Sequence, residues 1–503
     1  MFKRSISILL SLILIIGLLA GCSGKPADNS GSGQGTGGAK DKEQPKEKQI
    51  TWLFVKGGFD GKPDNDVIKA DIEKNSGVKF NQIAPPAANY AEKVNVILAS
   101  NDLPDAVKLP KMDDLFNYAD QGALLPLDDL LKDAPNLTKN IPKAAWEMCR
   151  VNGKIYGIPV WTSEHRYNFI IRGDWLKKLN LQEPKTLDDL YNVYKAFKER
   201  DPDGNGKADT YGISGTGLES FEPIFGAFGV MGVHRGYWYE ENGKLLPQAI
   251  NPYAKKALEL LRKWYAEGLI DPEWITTKNE AQLNEKAMKN QFGSTHRWWT
   301  WEPKVEIEMR KIDPNVEWRR IAPPVGPDGK SAVRGVPLVN FPVAVLKTAK
   351  DPKAVIQLFD WLHSEKGMMT AYSGVEGVHW EKKPDGKVVT LPQFDKDAKW
   401  IQWYACFENE QPLLQVETPL VQSRRDSLKW NIITDKGDGL ITDAGKKYSS
   451  DLQVLVEDFY ASVITGKASV NDFDRFAEQW KQKGGNQWTD EINKLNAKSK
   501  TAK

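Results

Sequence analysis

Ile50-Thr51-Trp52-Leu53-Phe54-Val55 is a run of β-branched and aromatic residues with no helical spacing, and it predicts a buried strand. Val67 to Asn75 follows as a short helix that stops at Gly77, and Val78 to Ile83 predicts a second strand. Strand, helix, strand in that order opens an alternating β/α pattern. The pattern continues outward. Tyr90 to Ala99 is amphipathic, Ala106-Val107 is apolar, and Met112 to Asp120 reads as a helix closed by Gly122. Thr186 caps a helix whose Leu187, Leu190, Tyr191, Tyr194 and Phe197 recur on one face, with Asp188 and Asp189 in the first turn, where the helix dipole favours them. Its aromatics are expected in the core. Further helices read at Pro252 to Glu267, Asp351 to Ser364 and Tyr448 to Val463, and no repeat of 20 to 50 residues is visible. An α/β body of this size without repeats predicts two lobes with a ligand crevice between them.

At 503 residues, with 40% hydrophobic and 27% charged residues, the chain is too long for a small disulfide scaffold and too apolar for a disordered one. The formal charge of +2 comes from 69 basic and 67 acidic residues, and Lys3 and Arg4 stand in a segment expected to be removed. A near-neutral body has no footprint for a phosphate backbone, so nucleic acid is excluded as the main partner.

Those two cations precede an apolar run, Ile6 to Ala20, that is short for a membrane span and ends in Leu19-Ala20-Gly21-Cys22. This predicts a signal peptide over 1–21, and the ending resembles a bacterial lipobox, implying lipid on Cys22. Residues 23 to 49 carry no Val, Leu, Met or aromatic side chain and read as a flexible tether, so 22–49 is a lipidated cysteine and its leash. Gly33, Gly35 and Gly38 match a dinucleotide fingerprint by letter, but no strand precedes them. Beyond Cys22 only Cys149 and Cys406 remain, which make neither a disulfide framework nor a zinc site.

Asp201-Pro-Asp203-Gly-Asn205-Gly-Lys207-Ala-Asp209 places oxygen ligands at positions 1, 3, 5 and 9 of a calcium loop, glycine at 6 and a backbone carbonyl at 7. Position 12 is Gly212 rather than a bidentate Glu, so the pattern is broken there. A structural Ca²⁺ is expected. Aromatic residues cluster at Trp161 to Tyr167, Trp298-Trp299-Thr-Trp301, His379-Trp380 and Trp400/Trp403. Neighbouring tryptophans cannot all enter one core, and indole faces stack on the C–H faces of sugar rings, so a carbohydrate groove is predicted. No nucleophile elbow, phosphate loop or HExxH motif is present.

Val151 to Pro159, Arg166-Tyr-Asn168 and Arg172 to Leu176 resemble the first hinge region of extracellular solute-binding lipoproteins of carbohydrate ABC importers, in the LplA-like Gram-positive branch related to alginate-oligosaccharide-binding proteins. Glu267 to Pro272, Pro323 to Gly329 and Tyr372 to Trp380 add to the resemblance, which runs over nearly the whole mature chain. It implies a two-lobed, type II periplasmic-binding-protein-like α/β fold. The lobes are expected at 48–160 plus 343–410 and at 161–342 plus 411–503. It implies calcium on Asp201, Asp203, Asn205, the Lys207 carbonyl and Asp209, with Thr210 where an acidic residue often follows. The expected function is capture of an oligosaccharide for a membrane permease, by a monomer lipid-anchored on the extracytoplasmic face of a Gram-positive cell membrane. Proximity to the hinge and side-chain chemistry select Trp161, Glu164, Arg166, Tyr167, Trp298, Trp299, Trp301, Asn340, Glu376, His379 and Trp380 for the cleft. Near-neutral charge favours a neutral sugar, while Arg166 and Arg297 keep a uronic acid open. The competing class is a surface-anchored glycoside hydrolase or lyase, and here a Glu such as Glu302 or Glu376 beside a Trp carries little weight.

Overall fold

The computed structural model describes residues 47–55, 65–86, 89–100, 102–161, 164–299, 301–397, 400–405 and 424–501. The signal segment, Cys22, most of the tether and Cys406 lie outside the described residues. Gln49–Leu53 is a strand with Ile50, Trp52 and Leu53 buried, and it pairs in parallel with Lys79–Ile83 and with Ala106–Lys108. Between the first two runs the Val67–Ser76 helix, which Asp66 caps by accepting from the Lys69 amide. Gly77 ends it at φ 69°, a conformation that costs a residue with a Cβ.

The sheet has five strands in the order Lys79–Ile83, Gln49–Leu53, Ala106–Lys108, Val339–Val345, Gly157–Trp161. Its last two strands come from distant parts of the chain and run antiparallel to their neighbours. The chain leaves this sheet at Trp161 and re-enters it at Val339, and those two residues are paired with each other. Around the sheet lies one continuous core, built from residues 50–160 together with Val339 to Tyr372, Trp400, Ile401 and Tyr404.

A separate three-stranded antiparallel sheet places Tyr167–Arg172 between Ser294–Trp298 and Trp318–Ile321. Parallel bridges from Tyr211 to Phe292 and from Ile213 to Ile270 extend it sideways. One face of the central strand, through Phe169 and Ile171, enters a core shared with the Leu187–Glu199, Tyr253–Ala266 and Asp443–Ile464 helices. The opposite face, through Ile170, packs on Phe292, Trp301, Val305 and Trp318. Strand alternation thus feeds two cores from one sequence.

Leu187, Leu190, Tyr194 and Phe197 are buried as the helical spacing predicts, and Thr186 and Asp189 form a reciprocal capping box. The Asp351 to Ser364 reading holds to within two residues, with Asp351 as the cap. Pro352–Leu362 is one helix, and Ser364 caps a second, Glu365–Ser373, by accepting from the Gly367 amide. Among the described residues, no helix is long and apolar enough to cross a membrane.

Candidate functional site

Tyr167 and Trp298 stand opposite each other at the end of the three-stranded sheet, next to the point where the chain has just left the first sheet. Their rings meet edge to face, with centroids 5.2 Å apart, and Tyr167 also lies 5.2 Å from the His296 ring. Two-residue spacing along the Ser294–Trp298 strand is what brings His296 and Trp298 to the same face. The Arg334 guanidinium sits 3.7 Å over the Tyr167 ring, and the Arg166 guanidinium 5.2 Å over that of Trp298. Trp299 is half-buried, with Arg424 5.6 Å from its ring, and its backbone is fixed from both ends. Its amide donates to the Arg166 carbonyl at 2.9 Å, and its own carbonyl accepts from Arg320 at 2.7 Å. Its indole N–H is buried without a hydrogen-bond partner among the described residues.

Trp301 goes elsewhere. It is 1% exposed, its ring meets Trp318 at 5.3 Å, and its indole N–H donates to Asn284. The strand ends at Trp298 and a helix begins at Trp301, so the turn between them sends the third tryptophan into the core. Its face is therefore covered by protein in this structure. Glu164 is half-buried, and its carbonyl accepts from the Arg166 and Val336 amides. Trp161 and Asn340 are placed by their backbones only, on the two adjoining strands of the first sheet.

Behind the aromatic rings is a buried ionic network that sequence reading missed. Glu222 is 0% exposed and lies 3.0 Å from the Arg334 Nε. Glu219 accepts from Arg297 at 2.8 Å, from Arg235 at 2.7 Å and from the Thr216 hydroxyl at 2.9 Å. Burial opposes ionisation of Glu219, but Arg334, Arg235 and Arg297 together hold its carboxyl down to about 2. Burial pushes Glu222 up to about 7 against the pull of Arg334. His234 and His296 are held down to about 3, first by burial and then by the arginines, so both rings are neutral. A second pair, Glu302 and Arg320, is joined at 2.7 Å, and burial pushes Glu302 up to about 7. Glu219 and Glu222 lie three residues apart, and an acidic pair at that spacing carries by itself no hint of the distant arginines it meets.

Glu376, His379 and Trp380 form another group, beside the Val67–Ser76 and Glu365–Ser373 helices. Glu376 and Trp380 line a cavity of about 630 Å³ together with Asp71, Met369 and Thr370. His379 is fully buried; its Nδ1 accepts from the Val375 amide at 2.8 Å, and its Nε2 lies 3.2 Å from Asp397. The Trp380 indole donates to the Gly374 carbonyl. Trp400 is core, 4% exposed, and the Trp403 side chain is outside the description.

In the Asp201–Asp209 loop, Asp201 faces its own backbone, accepting from the Gly204, Asn205 and Gly206 amides at 2.9 to 3.0 Å. Asp203 and Asp209 both converge on the Asn205 side-chain nitrogen, at 2.8 and 3.1 Å. An amide donor thus occupies the point on which two carboxylates aim. The Asn205 oxygen meanwhile accepts from the Lys207 amide at 2.8 Å. Among the described residues, no group of three or more His, Cys, Asp or Glu side chains is gathered closely enough to hold a metal ion.

A family model described as bacterial extracellular solute-binding protein matches residues 60–369. Lipoprotein LipO of Bacillus subtilis is 29% identical over 517 aligned residues, covering 98% of each chain. A fructooligosaccharide ABC transporter substrate-binding protein of Streptococcus pneumoniae, FusA, is 37% identical over 230 residues, 42% of each chain. The crystal structure of the alginate-binding protein AlgQ2 without calcium ion superposes with a TM-score of 0.67 at 24% identity, over 90% of this chain and 99% of that one. The α/β architecture is therefore that of the periplasmic solute-binding proteins.

Proposed function

Because the chain belongs to the bacterial extracellular solute-binding protein family, we propose that it captures an oligosaccharide between two lobes and delivers it to an ABC permease. The lobes we assign are 48–160 plus 343–410 and 161–342 plus 411–503. The observation that carries this reading is Trp299, a half-buried indole beside the strands that join the two sheets, its backbone fixed from both ends. A sugar ring supplies a C–H face for the exposed part of that indole. Trp298, Arg166, Tyr167 and Glu164 complete the wall on that side, with Trp161 and Asn340 on the adjoining strands. Glu376, next to its open cavity, and Trp380 serve the other lobe, with His379 holding their loop through its bonds to Val375 and Asp397.

The protein acts by binding, without chemical conversion of the sugar. A structural Ca²⁺ held by Asp203, Asn205, the Lys207 carbonyl and Asp209, with Asp201 ordering the loop, fits the convergence of two carboxylates on one point. Turning the Asn205 amide would present its oxygen there. Lipid on Cys22 tethers the body, a monomer, to the outer face of the membrane, in keeping with the lipoprotein name of its relative LipO.

Isothermal titration of the purified chain with neutral and uronic oligosaccharides tests this. Saturable binding without release of reducing ends is expected, and Trp299→Ala should weaken it about tenfold, the upper range for one aromatic contact. Release of reducing ends, or no binding across the panel, would overturn it.

A further inference from the structure

Arg334 stands behind the aromatic site on a short parallel ladder that pairs Val333–Arg334 with Ile432–Ile433. Its backbone is held on both sides. The Val333 amide donates to the Asn431 carbonyl at 2.9 Å, and the Gly335 amide donates to that of Ile433 at 3.0 Å. The Tyr237 hydroxyl donates to the Gly335 carbonyl at 3.1 Å. The side chain is held as well. Its Nε lies 3.0 Å from Glu222 and its Nη2 3.8 Å from Glu219, and the guanidinium carbon is 3.7 Å from the centre of the Tyr167 ring. At that separation the guanidinium is in van der Waals contact with the ring while two carboxylates face its nitrogens.

Stability does not account for this arrangement, because a buried ion pair stabilises a fold little beyond apolar side chains of the same volume. Nor does the guanidinium itself meet a ligand, since the side chain is 2% exposed. Tyr167 is different. It is half-buried, begins its strand on the side of the site, and stands opposite Trp298 in the ladder. A ring that turned out of its place would give up its contact with a desolvated cation, and such a contact is strongest where water is excluded. We propose that Arg334 is a positioning residue for sugar binding: without touching the ligand, it sets the Tyr167 ring in the orientation that the ligand meets. This inference rests on the oligosaccharide reading of the aromatic site.

Isothermal titration of the purified chain with kestose, maltotriose and trigalacturonate tests it, the variants being titrated with whichever of the three binds the unaltered chain. Tyr167→Ala and Arg334→Met should each weaken binding about tenfold, the range of one aromatic contact. In Arg334→Lys the introduced ammonium falls where the guanidinium carbon stands, so a cation stays over the ring and affinity should remain within about threefold. In a Tyr167→Ala background, Arg334→Met should change affinity by less than about twofold, because the ring it positions is gone. Where Arg334→Met alone fails to fold, Arg334→Met with Glu222→Gln takes its place, since that pair strands no charge. Equal losses in the Lys and Met variants, an undiminished loss in the Tyr167→Ala background, or full affinity in Tyr167→Ala or Arg334→Met would each overturn the positioning role and leave the oligosaccharide reading standing. No binding of any of the three sugars by the unaltered chain would overturn that reading, and this inference with it.

Discussion

Arg334 and Glu222 show how far a single side chain can determine the site. The guanidinium is buried, caps the Tyr167 ring at 3.7 Å and lies 3.0 Å from a fully buried carboxylate. Removing one member of such a pair strands the other, which costs about 3 to 5 kcal/mol, whereas removing both is far cheaper. Arg334→Met should therefore lower stability in urea unfolding by about 3 kcal/mol, and Arg334→Met combined with Glu222→Gln should regain at least half of it. Equal losses in the single and double variants would show that Arg334 matters only through packing. The sequence could not announce this pair, because 111 positions separate the partners in the chain and either residue reads by itself as surface charge. The tryptophans were partly legible: close-spaced indoles could not all enter one core, and Trp298 and Trp299 are half-buried while Trp301 is in the core. Which of them went inward was decided by the strand-to-helix turn, a tertiary fact. Cys149 makes a simpler case. It is 0% exposed and burial pushes its thiol up, so a maleimide should leave the Cys149 peptide unlabelled in native protein and label it in urea, as read by peptide mass mapping.

At the scale of elements, local chemistry was readable and long-range pairing was not. Thr186 with Asp189, Gly77 and Gly122 mark helix ends by interactions within a few residues, and the structure places the ends there. The three-stranded sheet joins Tyr167–Arg172 to partners more than 120 positions downstream, and no short pattern encodes that choice. The Asp201–Asp209 loop is the element whose behaviour is most open to experiment. Two carboxylates share one amide donor there, and a Ca²⁺ in that position would satisfy both more strongly. A ligand that binds only the folded state stabilises it by about 2.7 kcal/mol at one hundred times its dissociation constant. Calcium should accordingly raise the melting temperature by a few degrees in scanning calorimetry, and chelation should reverse the shift. Asp203→Asn with Asp209→Asn should erase the response, while a shift of unchanged size in that variant would place the ion elsewhere.

For the molecule as a whole, the two sheets have separate cores, and the chain passes between them at Trp161 and Val339, which are paired side by side. On the lobe assignment proposed above, these paired crossing strands are the place where a hinge between the lobes would lie. Oligosaccharide binding should therefore reduce the radius of gyration in small-angle scattering from the about 23 Å expected for a body of this length. The same architecture sets a dependence on pH. Asp435 accepts from the Trp238 and Gly437 amides, yet burial pushes its carboxyl up to about 6. Asp438 is exposed, and the protein packed around its carboxyl, then the Asp435 charge, push it up to about 7, a shift that water at its surface weakens. Both groups are raised above the ordinary 3.8 of an aspartate. Between about pH 4 and about pH 7 the folded chain then retains protons that the unfolded chain has released, so the contribution of these groups is fully present at the acid end and is lost as pH rises. Glu219, held down to about 2, acts with the opposite sign, and its share is lost only as pH falls below about 4. The two aspartates therefore contribute a decline in melting temperature from about pH 5 to about pH 7.5, reduced because water screens Asp438; Glu222 and Glu302 add to it, while His234 and His296, neutral in the fold, oppose it below about pH 6.5. Asp438→Asn should flatten that decline. A slope unchanged by the substitution would mean that Asp438 ionises freely in the folded protein and that the decline arises at other carboxylates.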